Sequence, residues 1–216
     1  MAQKIFNLII LDASGSMYSI RKQAIDGVNE TLQTIKADQN KHPEQQHYVS
    51  FISFNSDMYN VVYDRVLANK TTELQEKDYV PNCATPLYDS IGRAVTNLRD
   101  YVAEEDSVLV TIITDGYENS SREFNGKAIA NLIEEMKKKD WIFTYIGANQ
   151  DVEKVAKSMN IDNHMAFESD EVGTLQMFVA ENQSRAAFYD RVRDYKSGNI
   201  SKEAFKESSF FKKRKG

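Results

Sequence analysis

The sequence holds one cysteine, one tryptophan and three prolines among 216 residues. A single thiol, Cys83, forms no internal disulfide, so the chain must rely on its packed core and is expected in a reducing compartment, the cytoplasm. No run approaches the roughly 18 apolar residues of a membrane span. The apolar stretch nearest the N-terminus, IFNLIIL at residues 5–11, is short and has no small-residue cleavage site after it. A signal peptide and a membrane partner are therefore not expected. Acidic residues outnumber basic ones, 32 to 27. The total is −5, and Lys212, Lys213, Arg214 and Lys215 supply +4 of it, which leaves −9 for the rest of the chain. An acidic body argues against broad nucleic-acid binding. The short basic tail reads mainly as a solvated end.

What is present is ordinary for a globular protein: 41% apolar and 27% charged residues. Short apolar runs alternate with amphipathic stretches. Strands are expected at 5–11, 47–55, 59–67, 107–114, 141–147 and 164–168. Helices are expected at 20–38, from Thr85-Pro86 onward, at 126–139, at 152–159 and at 170–194. The short connection around Ser56 and Asp57 suggests that 47–55 and 59–67 form a hairpin, hence one antiparallel edge. In SVLVTIIT (107–114) the unbroken β-branched run marks a strand buried on both faces. Along the last helix, Val172, Leu175, Phe178, Val179, Ala186 and Val192 read as the buried side. The expected fold is α/β: a three-layer, Rossmann-like open sheet, mostly parallel, with helices on both faces. Residues 1–194 should form the domain, with 195–216 a C-terminal appendage.

In such sheets ligands bind beyond the carboxyl ends of the strands. The strand at 5–11 is followed by Asp12, Ser14 and Ser16, and the strand at 107–114 by Asp115 and Gly116. Thr85 stands at a helix start, which lies along the same rim. Two carboxylates and three hydroxyls suit a hard divalent cation such as Mg2+, with Mn2+ or Ca2+ as alternatives. Only two of the five groups carry charge. The ion would stay under-neutralised and would attract an acidic oxygen from outside. Each piece alone has a plainer reading: Ser14 and Ser16 as turn or N-cap residues, Thr85 as an N-cap, Asp115-Gly116 as a turn. Tyr117 and Glu118 fall near the same rim. His42, His47 and His164 show no metal-ligand spacing and read as surface or edge residues.

Taken together, DASGS at 12–16, ATPL at 84–87 and TDG at 114–116 resemble the three parts of the metal-ion-dependent adhesion site of von Willebrand factor type A (VWA) domains. The order and spacing match over roughly residues 4–190. The resemblance implies that Asp12, Ser14, Ser16, Thr85 and Asp115 form the site, partly through water. It also implies that a partner protein's carboxylate completes the coordination sphere. The stand-alone intracellular members, including those associated with tellurium resistance in bacteria, look nearest. Where many relatives have a glycine pair before the threonine, this chain has Asn82, Cys83 and Ala84, which should stiffen that loop.

The reading is thus a metal-dependent protein-binding module and not an enzyme. One alternative is a Mg2+-dependent phosphatase of the haloacid dehalogenase type. That chemistry wants a second Asp two residues after the first, and Ser14 stands there instead. The other alternative is a nucleic-acid or acidic-partner adaptor acting through the KKRK tail. No G-x-S-x-G elbow and no histidine after a strand support hydrolysis by serine.

Overall fold

The computed structural model describes residues 3–211. The KKRK tail, with the adaptor reading placed on it, lies outside them. Six strands make one sheet: β1 (Gln3–Asp12), β2 (Gln45–Phe54), β3 (Tyr59–Leu67), β4 (Ser107–Thr114), β5 (Ile142–Gly147) and β6 (Asn163–Ala166). Their order is β3-β2-β1-β4-β5-β6. All neighbours are parallel except β2 and β3, the expected antiparallel edge. The β2–β3 register shifts around Phe51, where Arg65 sits at φ 53° and donates its N–H to Ser50 Oγ at 3.1 Å.

The helices are α1 (Arg21–Lys41), α2 (Leu87–Arg99), α3 (Gly126–Lys138), α4 (Val152–Ser158), α5 (Glu171–Lys196) and α6 (Lys202–Glu207). They cover both faces of the sheet. Along β1, Ile5, Ile9 and Leu11 pack toward α1, α5 and α6, and Phe6, Leu8 and Ile10 pack toward α2, α3 and α4. That two-residue alternation is why the central strands read as unbroken apolar runs. α1 and α5 lie close. A Cβ at Gly27 would fall 2.0 Å from the Phe178 ring, so only glycine fits where α5 crosses α1.

α5 buries Phe178 and Val192 as expected but not the other apolar residues read along it. Val172, Leu175 and Val179 are exposed. The sheet-facing side carries Met177, Phe178, Phe188 and Val192 together with Glu181, Arg185 and Tyr189, all buried. Arg185 is fully buried and donates to Glu181 Oε1 at 2.6 Å, Thr111 Oγ1 at 2.8 Å and Asn7 Oδ1 at 3.1 Å. Its partners outweigh burial and keep the guanidinium charged. His47, expected at the surface, is buried too, edge-on to Tyr189 at 4.6 Å between ring centres. Beyond α5, the chain that the sequence suggested was an appendage packs back on the domain. Phe205 and Phe210 are buried beside Phe188, and Lys202 pairs with Asp140 at 2.5 Å.

Candidate metal centre

Strand order places the site. From β1 the chain turns through α1 to β2 on one side, and from β4 it turns through α3 to β5 on the other. The carboxyl ends of β1 and β4 therefore diverge and leave a crevice between them. Asp12 is the last residue of β1, and Asp115 follows the last residue of β4. Both are buried, as are Ser14 and Thr85, whereas Ser16 is exposed.

Hydrogen bonds tie these groups together. Asp12 Oδ1 accepts the Ser14 N–H at 2.7 Å, and its Oδ2 accepts the Thr114 hydroxyl at 2.6 Å. Ser16 donates to Asp115 Oδ1 at 2.6 Å, and the Ser14 and Ser16 hydroxyls are 3.3 Å apart. Thr85 arrives from the third loop. A methyl group at Gly116 would stand 3.8 Å from both Ser16 Oγ and Thr85 Oγ1, so both hydroxyls border the same small space. The five sequence-derived residues therefore gather at one rim from three loops.

The plainer readings of these hydroxyls do not match what caps the helices. Ser14 opens a 3-10 turn, Gly15–Ile20, with no side-chain cap. α2 begins at Leu87 with Pro86 before it, and Thr85 makes no cap bond. The N-terminal N–H groups of α2 go elsewhere: Tyr88 N–H to Glu118 Oε2 at 2.9 Å and Asp89 N–H to Ser121 Oγ at 3.0 Å. In return, Asp89 accepts the N–H groups of Arg122, Glu123 and Phe124 at 2.8–2.9 Å. Glu118 thus points at α2 and pins the loop that carries Asp115 to the helix that carries Thr85. Asn119 adds two bonds to the Thr85 backbone, its side-chain Oδ1 accepting the Thr85 N–H at 2.9 Å and its own N–H donating to Thr85 O at 3.1 Å.

The electrostatics are unfavourable to the two carboxylates by themselves. Burial pushes the Asp12 carboxyl up to about 6, against the pull of the Thr114 and Ser14 hydrogen bonds, and nearby Asp115 adds to the rise. Burial raises Asp115 as well. Two desolvated acids beside each other fit a cation at this rim. Sequence reasoning missed Asp89 and Asn119 and four further supports. Thr114 lies inside the TDG motif yet reads as the end of a strand. Tyr79, fully buried, donates to Asp12 O at 2.6 Å. Ser169 Oγ lies 3.4 Å from Asp115 Oδ2, from the loop before α5. Asn149 Nδ2 donates to Asp115 O at 3.3 Å. The last three have no local signature, since each comes from a distant loop.

A second group of possible ligands, Asp38, His42 and Asp190, lies at the other end of the sheet with its ligand atoms within 4.8 Å of one another. Arg193 pairs with both Asp38 and Asp190, so a guanidinium already fills the cationic position.

Fold and rim together define an α/β domain with an oxygen-lined crevice at its switch point. The model of the von Willebrand factor type A domain matches residues 8–181, and the chain belongs to that family. No curated protein matches the sequence. Among solved structures, von Willebrand factor type A from Catenulispora acidiphila is similar at 15% identity and TM-score 0.62, covering 85% of this chain and 43% of its own. The pilus adhesin SpaC from Lactobacillus rhamnosus GG is similar at 13% identity and TM-score 0.62, over 86% of this chain and 30% of its own. Manganese-loaded TRAP protein from Plasmodium vivax is similar at 15% identity and TM-score 0.50, over 82% of this chain and 74% of its own. The chain thus spans less than half of two of these three. Identities this low speak for the fold alone. Domains of this family are in general interaction modules and not enzymes. Among the described residues no helix is long and apolar enough to cross a membrane.

Proposed function

We propose that this protein is a metal-dependent protein-binding module. Its rim holds Mg2+, or Mn2+ or Ca2+, through Asp12, Ser14, Ser16, Thr85 and Asp115, and a carboxylate of a partner protein completes the coordination. The observation that carries this reading is the charge count at the rim. Three of the five oxygen donors are neutral hydroxyls, and neither Ser14 nor Thr85 is used to cap a helix. A divalent ion on two carboxylates keeps a net attraction for one more anionic oxygen and for water. The metal would supply the bridge, and the chain would supply its placement. Glu118, Asp89 and Asn119 would hold the Thr85 and Asp115 loops in register, and Thr114 would aim Asp12. Catalysis has no support in the donor set, because Ser14 stands where a second acid would be needed to protonate a leaving group. A cytoplasmic location, from the single thiol, and a place among stand-alone intracellular relatives, tellurium-resistance-associated ones included, complete the proposal.

The test is metal-dependent capture. Immobilised full-length chain is exposed to an extract of the source cell in Mg2+ and in EDTA, with Asp12→Ala alongside. Partners that need both the metal and Asp12, and that lose binding when one of their Asp or Glu residues is replaced, support the reading. A partner set indifferent to EDTA and to Asp12→Ala contradicts it.

A further inference from the structure

α5 is apolar on two sides. The inward side is part of the core. The outward side carries Val172, Leu175 and Val179, which are 62, 45 and 51% exposed. Of the eight large hydrophobic side chains exposed among the described residues, these three share one helix face, and the other five stand on five separate segments. Scattered apolar residues are normal on a surface, whereas a row of them calls for a cover. The i, i+3, i+7 spacing puts the row along one side of the helix for about 10 Å.

Beside Val179 the surface sinks into a groove of about 490 Å3 between α1 and α5. Glu30, Gln33, Glu73 and Gln183 stand on its walls, and the two glutamates are its only charged residues among those described. Glu171, exposed, continues the acidic rim at the Val172 end. Val179 thus joins the apolar row of α5 to a groove whose other walls are polar and carry two acids.

We propose that the outer face of α5, together with the acidic groove beside it, docks an amphipathic helix of a partner protein. The helix presents apolar residues at i, i+3 or i+4, and i+7, with lysine or arginine beside them. A helix laid on α5 reads that apolar spacing. The glutamates select the sign of its flanks and speed its approach. A second copy of this chain fits less well, because its α5 would bring Glu171 and its groove glutamates against those of the first. The surface is also continuous with the rim: Ser169, whose hydroxyl is near Asp115, lies two residues before α5 starts. Docking in the groove needs no metal, so it stands or falls apart from the function proposed above.

The experiment uses the full chain in EDTA, which silences the rim. A display library of 16-residue helices, with apolar residues fixed at i, i+3 and i+7 and the flanks randomised, is selected on the wild-type protein. Enriched helices are then measured against the double variant Leu175→Lys/Val179→Lys and, separately, against Glu30→Lys/Glu73→Lys. These residues are surface groups, and circular dichroism checks that each variant is folded. Expected are flanks rich in lysine and arginine, binding at least tenfold weaker to both variants, and amide shifts at Gln33, Val179 and Gln183 on adding the peptide. The proposal is overturned by no enrichment, by acidic flanks, by equal binding to the variants, or by shifts away from α1 and α5. It is also overturned if sedimentation shows a dimer that Leu175→Lys/Val179→Lys dissolves, since a second copy would then cover the groove.

Discussion

Replacing Glu181 by leucine should destabilise the protein more than replacing Glu181 and Arg185 together. Both side chains are buried between α5 and the sheet, and Glu181 is the only carboxylate that pairs with Arg185 there among the described residues. Glu181→Leu leaves a desolvated guanidinium with only neutral partners, Asn7, Thr111 and Tyr189. Breaking a buried pair in this way costs about 3–5 kcal/mol. Arg185→Met alone leaves the carboxylate buried and should cost a similar amount. In Glu181→Leu/Arg185→Met both charges are gone. Asn7 Oδ1 keeps the Tyr189 hydroxyl at 2.6 Å, so Thr111 Oγ1 is the main group left short. One unsatisfied buried polar group costs about 1–3 kcal/mol. Urea unfolding of the four proteins gives the cycle, read from the midpoints at constant slope. The expected coupling is at least about 3 kcal/mol, with the double variant more stable than either single. Additive costs, or a loss under about 1 kcal/mol for Glu181→Leu, would refute the view that α5 is held by a charge-balanced pair in the core.

Three further outcomes follow from the site and its supports. Cys83 holds φ at 63°, a left-handed conformation that glycine adopts without strain, so Cys83→Gly should raise the melting temperature by about 2–3 °C; an unchanged or lower value in calorimetry argues against strain in that loop. Asp89→Ala removes the acceptor of three backbone N–H groups in the Asp115 loop and should weaken divalent-metal binding about 10–100-fold, by titration calorimetry, although Asp89 is no ligand; unaltered affinity would mean that the loop holds its shape without it. Burial keeps the His47 imidazole below its usual range despite Asp38 at 3.2 Å. The unfolded chain therefore binds a proton there first, and stability should fall as pH drops below about 6.5, by at most about 1.4 kcal/mol per pH unit from this group. Asp38, held low by His47 and Arg193 against its burial, adds a loss at more acidic pH. His47→Gln should flatten the slope between pH 6.5 and 5 in urea titrations, and an unchanged slope would assign the effect elsewhere.

Much of the fold was legible because it is written locally. β-branched runs such as 107–114 mark strands wherever they pack, and the hairpin turn at Ser56–Asp57 sets the antiparallel edge. The rim residues were legible because each sits at a strand end, within four residues beyond one, or at a helix start, where strand-end geometry directs ligands. α5 was read correctly at Phe178 and Val192 and wrongly at Val172, Leu175 and Val179, for a physical reason. Periodicity finds an apolar face but not its direction, and this helix turns Glu181, Arg185 and Tyr189 inward. Those polar groups are affordable there only because Asn7 and Thr111 meet them from β1 and β4. The same limit hid Tyr79, Asn149 and Ser169, whose contacts with the Asp12 and Asp115 segments depend on loops folding back from far along the chain. Capping was misassigned too. Thr85 has the sequence of an N-cap, but Glu118 and Ser121 take that task from another loop.

The central claim is that the rim binds a divalent cation through Asp12. Thermal melts of the wild-type protein and Asp12→Ala, each in EDTA and in Mg2+ or Mn2+, test it most directly. At a metal concentration 100 times Kd the wild type should gain about 2.7 kcal/mol, a shift of several degrees. Asp12→Ala should fold, melt cooperatively and gain nothing. If wild type and Asp12→Ala respond alike to metal, or neither responds at millimolar concentrations, the rim is not the metal centre proposed for it.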